Sequence, residues 1–508
     1  MSDRRQTDGM ADGMSTESEG ARANAHVPGG EAGMIFGKVT TSDFQVTVTG
    51  HLEANEYVMV QHEDGWVLCQ VIEVKRESNL TSAQANAMAS GEEVEFKEMV
   101  NADVAIIGRR DDRGLLQVPG TPLRPGSPVF SANDELIKSV LGLRDDPDKG
   151  AYIGLLAGHE IQVFVPINLM VSKHVSILAK TGAGKSYLSG DLIEELMKHG
   201  VTVVIVDPHG EYGSLREAGD PPKARAHRFR VHGRGYAKLI HEFSPDQSVN
   251  PGTSPLRFSI RNMTPREILS LTGNRGALKG MPILRKITES LTEYKKDWNL
   301  DDVIRVMLGD EDLSRHPMVQ DLEYLREMGI LAEEGTKVTD IVQEGRTSII
   351  NLRGTPPDVQ EIIVNRILSS IFELRKRNKL PPMLVVVEEA HNFCPQAGEA
   401  ASSKTLRTIA SEGRKFGLGL VIVSQRAAKI DKNVLSQCGT QFVLKVTNPN
   451  DLATIEKSME GLTKGMIDEI QRLSVGFAII SSVDFAMPLF VEVRERETKH
   501  GGESIKVV

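Results

Sequence analysis

The stretch His174–Leu192, HVSILAKTGAGKSYLSGDL, changes texture twice. An apolar run, HVSILA, leads into a turn bearing Gly182 and Gly184, and a helical pattern follows from Ser186 to His199. Strand, glycine turn and helix form the context that a phosphate-binding loop requires. Glycines at these places let backbone N–H groups point inward around phosphate oxygens, where side chains would obstruct them. Lys185 supplies a cation for the β- and γ-phosphates and Ser186 a hydroxyl for Mg²⁺, while the helix turns its positive end toward the anion. Ala179 stands where the pattern G-x-x-x-x-G-K-[ST] has its first glycine. That position ends the strand, and alanine suits it at negative φ. The spacing assigns Thr181, Gly182, Ala183, Gly184, Lys185, Ser186 and Tyr187 to a nucleotide such as ATP with Mg²⁺.

Around this loop the chain of 508 residues is long enough for two or more domains. Its net charge of −9 carries no overall basic signal for nucleic acid, although a local basic channel works equally well inside an acidic protein. Cys69, Cys394 and Cys438 show no paired spacing, so neither a disulfide framework nor a zinc site is expected. No apolar run approaches membrane-span length and no signal-peptide core is visible, so the expected compartment is the cytoplasm, with no membrane partner.

Residues 1–33 are rich in Gly, Ser, Asp and Glu and are expected to be disordered. Residues 34–170 read as short alternating strands with frequent turns, a small β-barrel. Within it FQVTVTG places Phe44, Val46 and Val48 on one face, and VPGTPLRPGSPVF, with four prolines, reads as a loop. Residues 171–220 and 341–494 alternate apolar strands with helices, as in a largely parallel sheet covered on both faces. The intervening 221–340 are read as a helical insertion, and 495–508 as a polar tail. No internal repeat is visible.

A phosphate loop does not name a reaction, so its acidic partner matters. Two apolar runs end in acid: VTVVIVD at Asp207 and MLVVVEEAH at Glu388-Glu389. Asp207 alone, on a strand adjacent to the loop, would resemble small-molecule kinases and GTPases. The pair at 388–389 instead lets one carboxylate hold the metal's water shell while the other polarises an attacking water, as hydrolysis requires. A solvated helix start is the plain alternative for the pair. Gln425, just past GLVIVS, is placed to sense a γ-phosphate. Arg414, in ASEGRKFG, is either a surface charge or a finger for a neighbouring site.

As a set, AKTGAGKS, VDPHGEY (206–212), VEEAHNF (387–393), SEGRKFG (411–417) and SQR (424–426) resemble the HerA family of hexameric DNA translocases, within the HerA/FtsK group of ATPases. The resemblance extends over nearly all the chain after residue 33. It implies an α/β RecA-like (ASCE) core, an N-terminal HAS-type barrel and a helical insertion. Carried over residue by residue, Lys185 and Ser186 match the loop lysine and the magnesium-binding hydroxyl. Glu389 matches the catalytic glutamate, and Glu388 takes the metal-shell position often held by aspartate. Arg414 matches the arginine finger and Gln425 the sensor glutamine, with Asp207 and Glu211 near the active site. The implied protein is an ATP-hydrolysing homohexamer on double-stranded DNA, working with a NurA-type nuclease in DNA end resection and repair. The tail is expected to brace an adjacent protomer. Arg275, Lys279 and Lys404 are basic loop candidates for the pore, each more readily read as a solvated surface charge. A conjugation- or secretion-type motor and a nucleotide-gated recruitment scaffold are the alternatives.

Overall fold

A computed structural model describes residues 29–265, 268, 281–295, 297–309, 316–327 and 329–502. Most of the segment expected to be disordered, together with Arg275 and Lys279, lies outside the described residues.

The barrel is built from β1 (Glu31–Phe36), β2 (Asp43–Val48), β3 (Tyr57–His62), β4 (Gly65–Ser78), β5 (Glu98–Arg110) and β7 (Pro128–Ser131), with the short β6 (Leu116–Gln117) appended to β5. Antiparallel pairing runs β2–β1–β7–β3–β4–β5 and returns from β5 to β2, so six strands close on themselves without a free edge. Period-two patterning sets the interior: Phe44 and Val46 of β2 pack against Val58, Val60, Val67 and Val104. Val48 of the predicted face packs against the same cluster while remaining partly exposed. The proline-rich stretch read as a loop ends in β7, which bridges β1 and β3; Pro128 opens that strand, the position where a missing N–H is tolerated.

The predicted barrel boundary at 170 is too late, and its start at 34 falls inside β1. The hairpin β8 (Gly150–Leu156) and β9 (Gln162–Pro166) pairs with a strand near the far end of the chain and joins the large sheet. That sheet continues with β10 (Val175–Leu178), β11 (Thr202–Asp207), β12 (Ile240–Ser244), β13 (Ser254–Pro255), β16 (Thr347–Asn351), β17 (Met383–Val387), β18 (Leu418–Ser424), β19 (Thr440–Val443), β20 (Phe477–Ser482) and β21 (Leu489–Val493). Its order is β13-β12-β16-β11-β17-β18-β10-β19-β20-β21-β8-β9, parallel up to β19 and antiparallel beyond. β12 lies within 221–340, so that region is not a pure helical insertion; it contributes to the sheet beside β16, and a two-strand pairing of β14 (Phe258–Ser259) with β15 (Leu331–Ala332). The strand at 240–244, IHEFS, has only two apolar residues, Ile240 and Phe243, and so carries no strand signal among the helical patterns.

Alternate residues of each central strand enter different cores. Val204, Val206, Val385, Val387, Leu420 and Ile422 pack with the helices over Pro357–Lys376 and Ser403–Glu412. Val203, Ile205, Leu384, Val386, Val421 and Val423 pack with Leu188, Leu192, Ile193 and Leu196 of the helix after the phosphate loop. Burial on both faces explains why these strands read as continuous apolar runs.

Residues 494–500 run along their own chain's Lys185–Lys198 helix, and Arg494 is fully buried there against Asp191, Glu194 and Glu195.

Candidate nucleotide site

The loop joins β10 to the Lys185–Lys198 helix, one residue earlier at each end than predicted. Gly182 and Gly184 have φ of +77° and +97°, a left-handed backbone that favours glycine. Gly184 is the helix N-cap, so the first helical N–H groups face the cleft rather than a side-chain cap. A cleft of about 760 Å³ opens there, lined by Thr181, Gly182, Gly184, Lys185, Ser186 and Tyr187 among others. Ala183, assigned to the same loop, is buried beneath it.

Strand order decides the acidic partner. β18 lies between β10 and β17, and β11 lies beyond β17, so Asp207 is not on a strand adjacent to the loop. Both oxygens of Asp207 are also committed elsewhere: Oδ1 accepts from the His209 and Gly210 amides, and Oδ2 accepts from the Tyr212 amide at 3.0 Å. Burial raises its carboxyl to about 6, with the Tyr212, Glu211 and Gly210 amides opposing the shift. Asp207 therefore shapes the DPHGEY turn, in place of the catalytic position expected from its strand end.

The pair at 388–389 meets the loop directly. Lys185 Nζ lies 2.7 Å from Glu388 Oε1 and 2.6 Å from Glu389 Oε1. Burial works against the ammonium, but the two carboxylates outweigh it and hold its pKa above the usual lysine range. Burial likewise raises Glu388, with Lys185 pulling the other way. Glu388 Oε2 accepts the Tyr212 hydroxyl at 2.9 Å. Glu389 Oε2 has no hydrogen bond and faces His391 Nδ1 at 3.2 Å. Glu389 itself has φ +48°, a left-handed conformation that costs roughly 1–3 kcal/mol in a residue with a Cβ. The chain turns out of β17 at this residue and holds its carboxylate at the cleft.

Gln425, at the end of β18, lines the same cleft and accepts the Thr181 hydroxyl. Arg414 does not line it: it is exposed on a single turn, Gly413–Phe416, after the Ser403–Glu412 helix. The helix before that turn is held by His174 Nε2, which donates to the Ala410 carbonyl at 2.9 Å, and the end of the turn by Arg375, which donates to the Phe416 carbonyl at 2.8 Å. The motifs flag neither clamp, because each partner is distant in sequence. Tyr212 and His391 lie inside the quoted motifs VDPHGEY and VEEAHNF, which therefore carried an unread signal.

Among the described residues, no group of three or more His, Cys, Asp and Glu forms a metal cage. The donor set fits Mg²⁺, which takes few protein ligands and completes its shell from water and phosphates. Ser186 and Glu388 are the residues that would hold it.

Lysine, hydroxyl and carboxylate around a glycine loop, on a sheet with one strand between loop and carboxylate, define a RecA-like P-loop ATPase. Residues 151–371 match the family model described as the central domain of helicase HerA. The chain is 28% identical to the DNA double-strand break repair helicase HerA of Pyrococcus furiosus, covering 94% of this chain and 96% of that protein. The helicase of the same name from Sulfurisphaera tokodaii is 26% identical, over 94% and 95%. Among solved structures, the plasmid coupling protein TrwB in complex with ADP and Mg²⁺ aligns with TM-score 0.48 and 16% identity over 69% of this chain and 90% of its own. VirB4 of Thermoanaerobacter pseudethanolicus aligns with TM-score 0.46 and 15% identity over 70% and 98%.

Proposed function

We propose that this protein is an ATP-driven motor that travels on double-stranded DNA as a homohexamer and acts with a NurA-type nuclease in end resection during double-strand break repair. The observation that carries the motor chemistry is Lys185 spanning Glu388 and Glu389 at 2.7 and 2.6 Å. A triphosphate entering the loop competes for that ammonium. Its withdrawal leaves Glu388 free to face the metal's water shell and Glu389 free to polarise an attacking water. Magnesium at Ser186 would neutralise phosphate charge. Thr181 holds Gln425 beside the loop, where the amide can register the γ-phosphate. Arg414 serves the site of the next subunit, which its distance from its own cleft permits.

Cargo is inferred from the relatives, whose names describe DNA break repair helicases. Lys404, exposed at the start of the Ser403–Glu412 helix, is a basic candidate for contact with the phosphate backbone. A conjugation- or secretion-type motor shares the same core and differs in cargo, and a recruitment scaffold would use the fold without needing turnover.

The test is phosphate release with and without duplex DNA at low salt, for wild type and Glu389→Gln. A DNA motor is stimulated several-fold by duplex, and Glu389→Gln loses on the order of 10²–10⁴ in turnover while still binding ATP. Absence of stimulation at low salt overturns the DNA reading. A scaffold keeps partner recruitment in Glu389→Gln.

A further inference from the structure

The phosphate loop and the catalytic carboxylate account for only part of the cleft. Its remaining lining holds the charged Lys180, Arg225, Arg494 and Glu495, the last three in ion pairs of their own, and the uncharged Tyr187, Val475, Val493 and His500. Val475 stands 73% exposed at this rim, an apolar side chain with little of the core around it. Four of these residues come from the segment 493–502, which is firmly held. Glu194 accepts from the Glu497 and Thr498 amides at 3.1 and 2.8 Å, and Arg225 bonds Glu492 at 2.9 Å and also Glu495.

The segment meets the loop at Tyr187, the residue after Ser186. The Tyr187 hydroxyl donates to Glu495 Oε2 at 2.7 Å and accepts the Arg496 amide at 2.8 Å. Its ring meets His500 edge-on, with centroids 5.6 Å apart. Beside the strap's own Gly501 and Gly502, Glu211 Oε2 is shielded from solvent and has no hydrogen-bond donor. A triphosphate chain uses the glycines, Lys185 and Ser186. With Arg225, Glu495 and Arg494 committed to ion pairs, what is left over beside Lys180 is a largely aromatic and apolar rim with one unpaired acceptor, chemistry that suits a heterocycle face and a sugar hydroxyl.

We propose that the C-terminal strap Arg494–Gly502 completes the nucleotide site from within its own chain, forming the wall for base and ribose. His500 and Tyr187 are its stacking surface, and Glu211 is the acceptor for a ribose hydroxyl. The inference rests on the reading of the loop as an ATP site and adds what that loop cannot provide, discrimination of a nucleoside from bare phosphate.

Two probes separate these claims: ATP, which would use both halves of the cleft, and inorganic tripolyphosphate, which would use the loop alone. Affinities are measured calorimetrically on the full chain carrying Glu389→Gln, so that ATP is not consumed. His500→Ala should weaken ATP about tenfold, the usual scale of one base–aromatic stack, and leave tripolyphosphate unchanged. His500→Phe, which restores a ring, should recover most of the loss. Unchanged ATP affinity in His500→Ala overturns the proposal and leaves the loop reading standing. Equal weakening of both probes also overturns it, because the strap then only supports the loop. A parent protein that binds neither probe overturns the nucleotide reading itself.

Discussion

Glu389 and His174 are both held at positive φ without being glycine, at +48° and +54°. In Glu389 the conformation delivers a carboxylate to the phosphate loop. In His174 it places a ring between the Ala410 carbonyl and the Leu420 amide, which donates to Nδ1 at 3.0 Å. A ring accepting at Nδ1 and donating at Nε2 is neutral, and burial lowers its pKa below the ordinary 6.5. The unfolded chain takes up this proton near pH 6.5, whereas the folded protein takes it up only at lower pH. In that window the unfolded state binds more protons, so stability is complete above pH 6.5 and falls as pH drops toward the folded value. Thermal midpoints measured from pH 7 to about pH 5 should therefore decline. His174→Asn, which tolerates positive φ better than most residues, should decline less steeply. His241 and His391, also lowered by burial, supply slope of the same sign, while Asp207, raised to about 6, opposes it. The His174 contribution is therefore read as the difference in slope between wild type and His174→Asn.

At the scale of elements, the Lys185–Lys198 helix shows what a sequence pattern conceals. Leu188, Leu192, Ile193 and Leu196 mark its core face, and Asp191, Glu194 and Glu195 read as its solvated side. All three acids are buried beneath the strap, where Arg494 and Arg496 meet them. Gly190, costly inside a helix, has a tertiary reason: an added Cβ would lie 2.5 Å from the Arg496 guanidinium carbon. Gly190→Ala gains roughly 1 kcal/mol of helix propensity yet should destabilise the protein by about 1–3 kcal/mol through overpacking. Combining it with Arg496→Ala should recover part of that loss, since the clash disappears while Glu194 loses a partner. Denaturant midpoints of the two single variants and the double variant measure this coupling.

For the whole molecule, the proposed ring places the consequence between subunits. Arg414 stands outside the cleft of its own chain, on a turn held at its end by Arg375 and through the preceding helix by His174. If it completes a neighbour's site, Arg414→Ala and Glu389→Gln each abolish turnover alone but complement when mixed. A working interface then needs an intact Glu389 in one subunit and an intact Arg414 in the next, about a quarter of interfaces in a random equal mixture. Phosphate release from mixed rings should rise well above that of either variant alone. No recovery would count against independently acting shared sites.

The phosphate loop, the barrel strands and the acidic pair were legible in the sequence because each depends on neighbours a few residues away: glycine at positive φ, alternation in strands, an apolar run ending in acid. Three features were not legible. The order of strands placed β18 between loop and carboxylate and so removed Asp207 from the catalytic position. The hairpin at 150–166 left the barrel for the large sheet. The tail folded back onto the helix that follows the loop. Each joins segments far apart in the chain, and only packing, through burial of both sheet faces and pairing of buried charges, chooses among such partners. The sequence by itself determined a phosphate-binding loop around Lys185; the tertiary structure decided that Glu388 and Glu389 meet that lysine, and that the C-terminal segment packs beside the cleft.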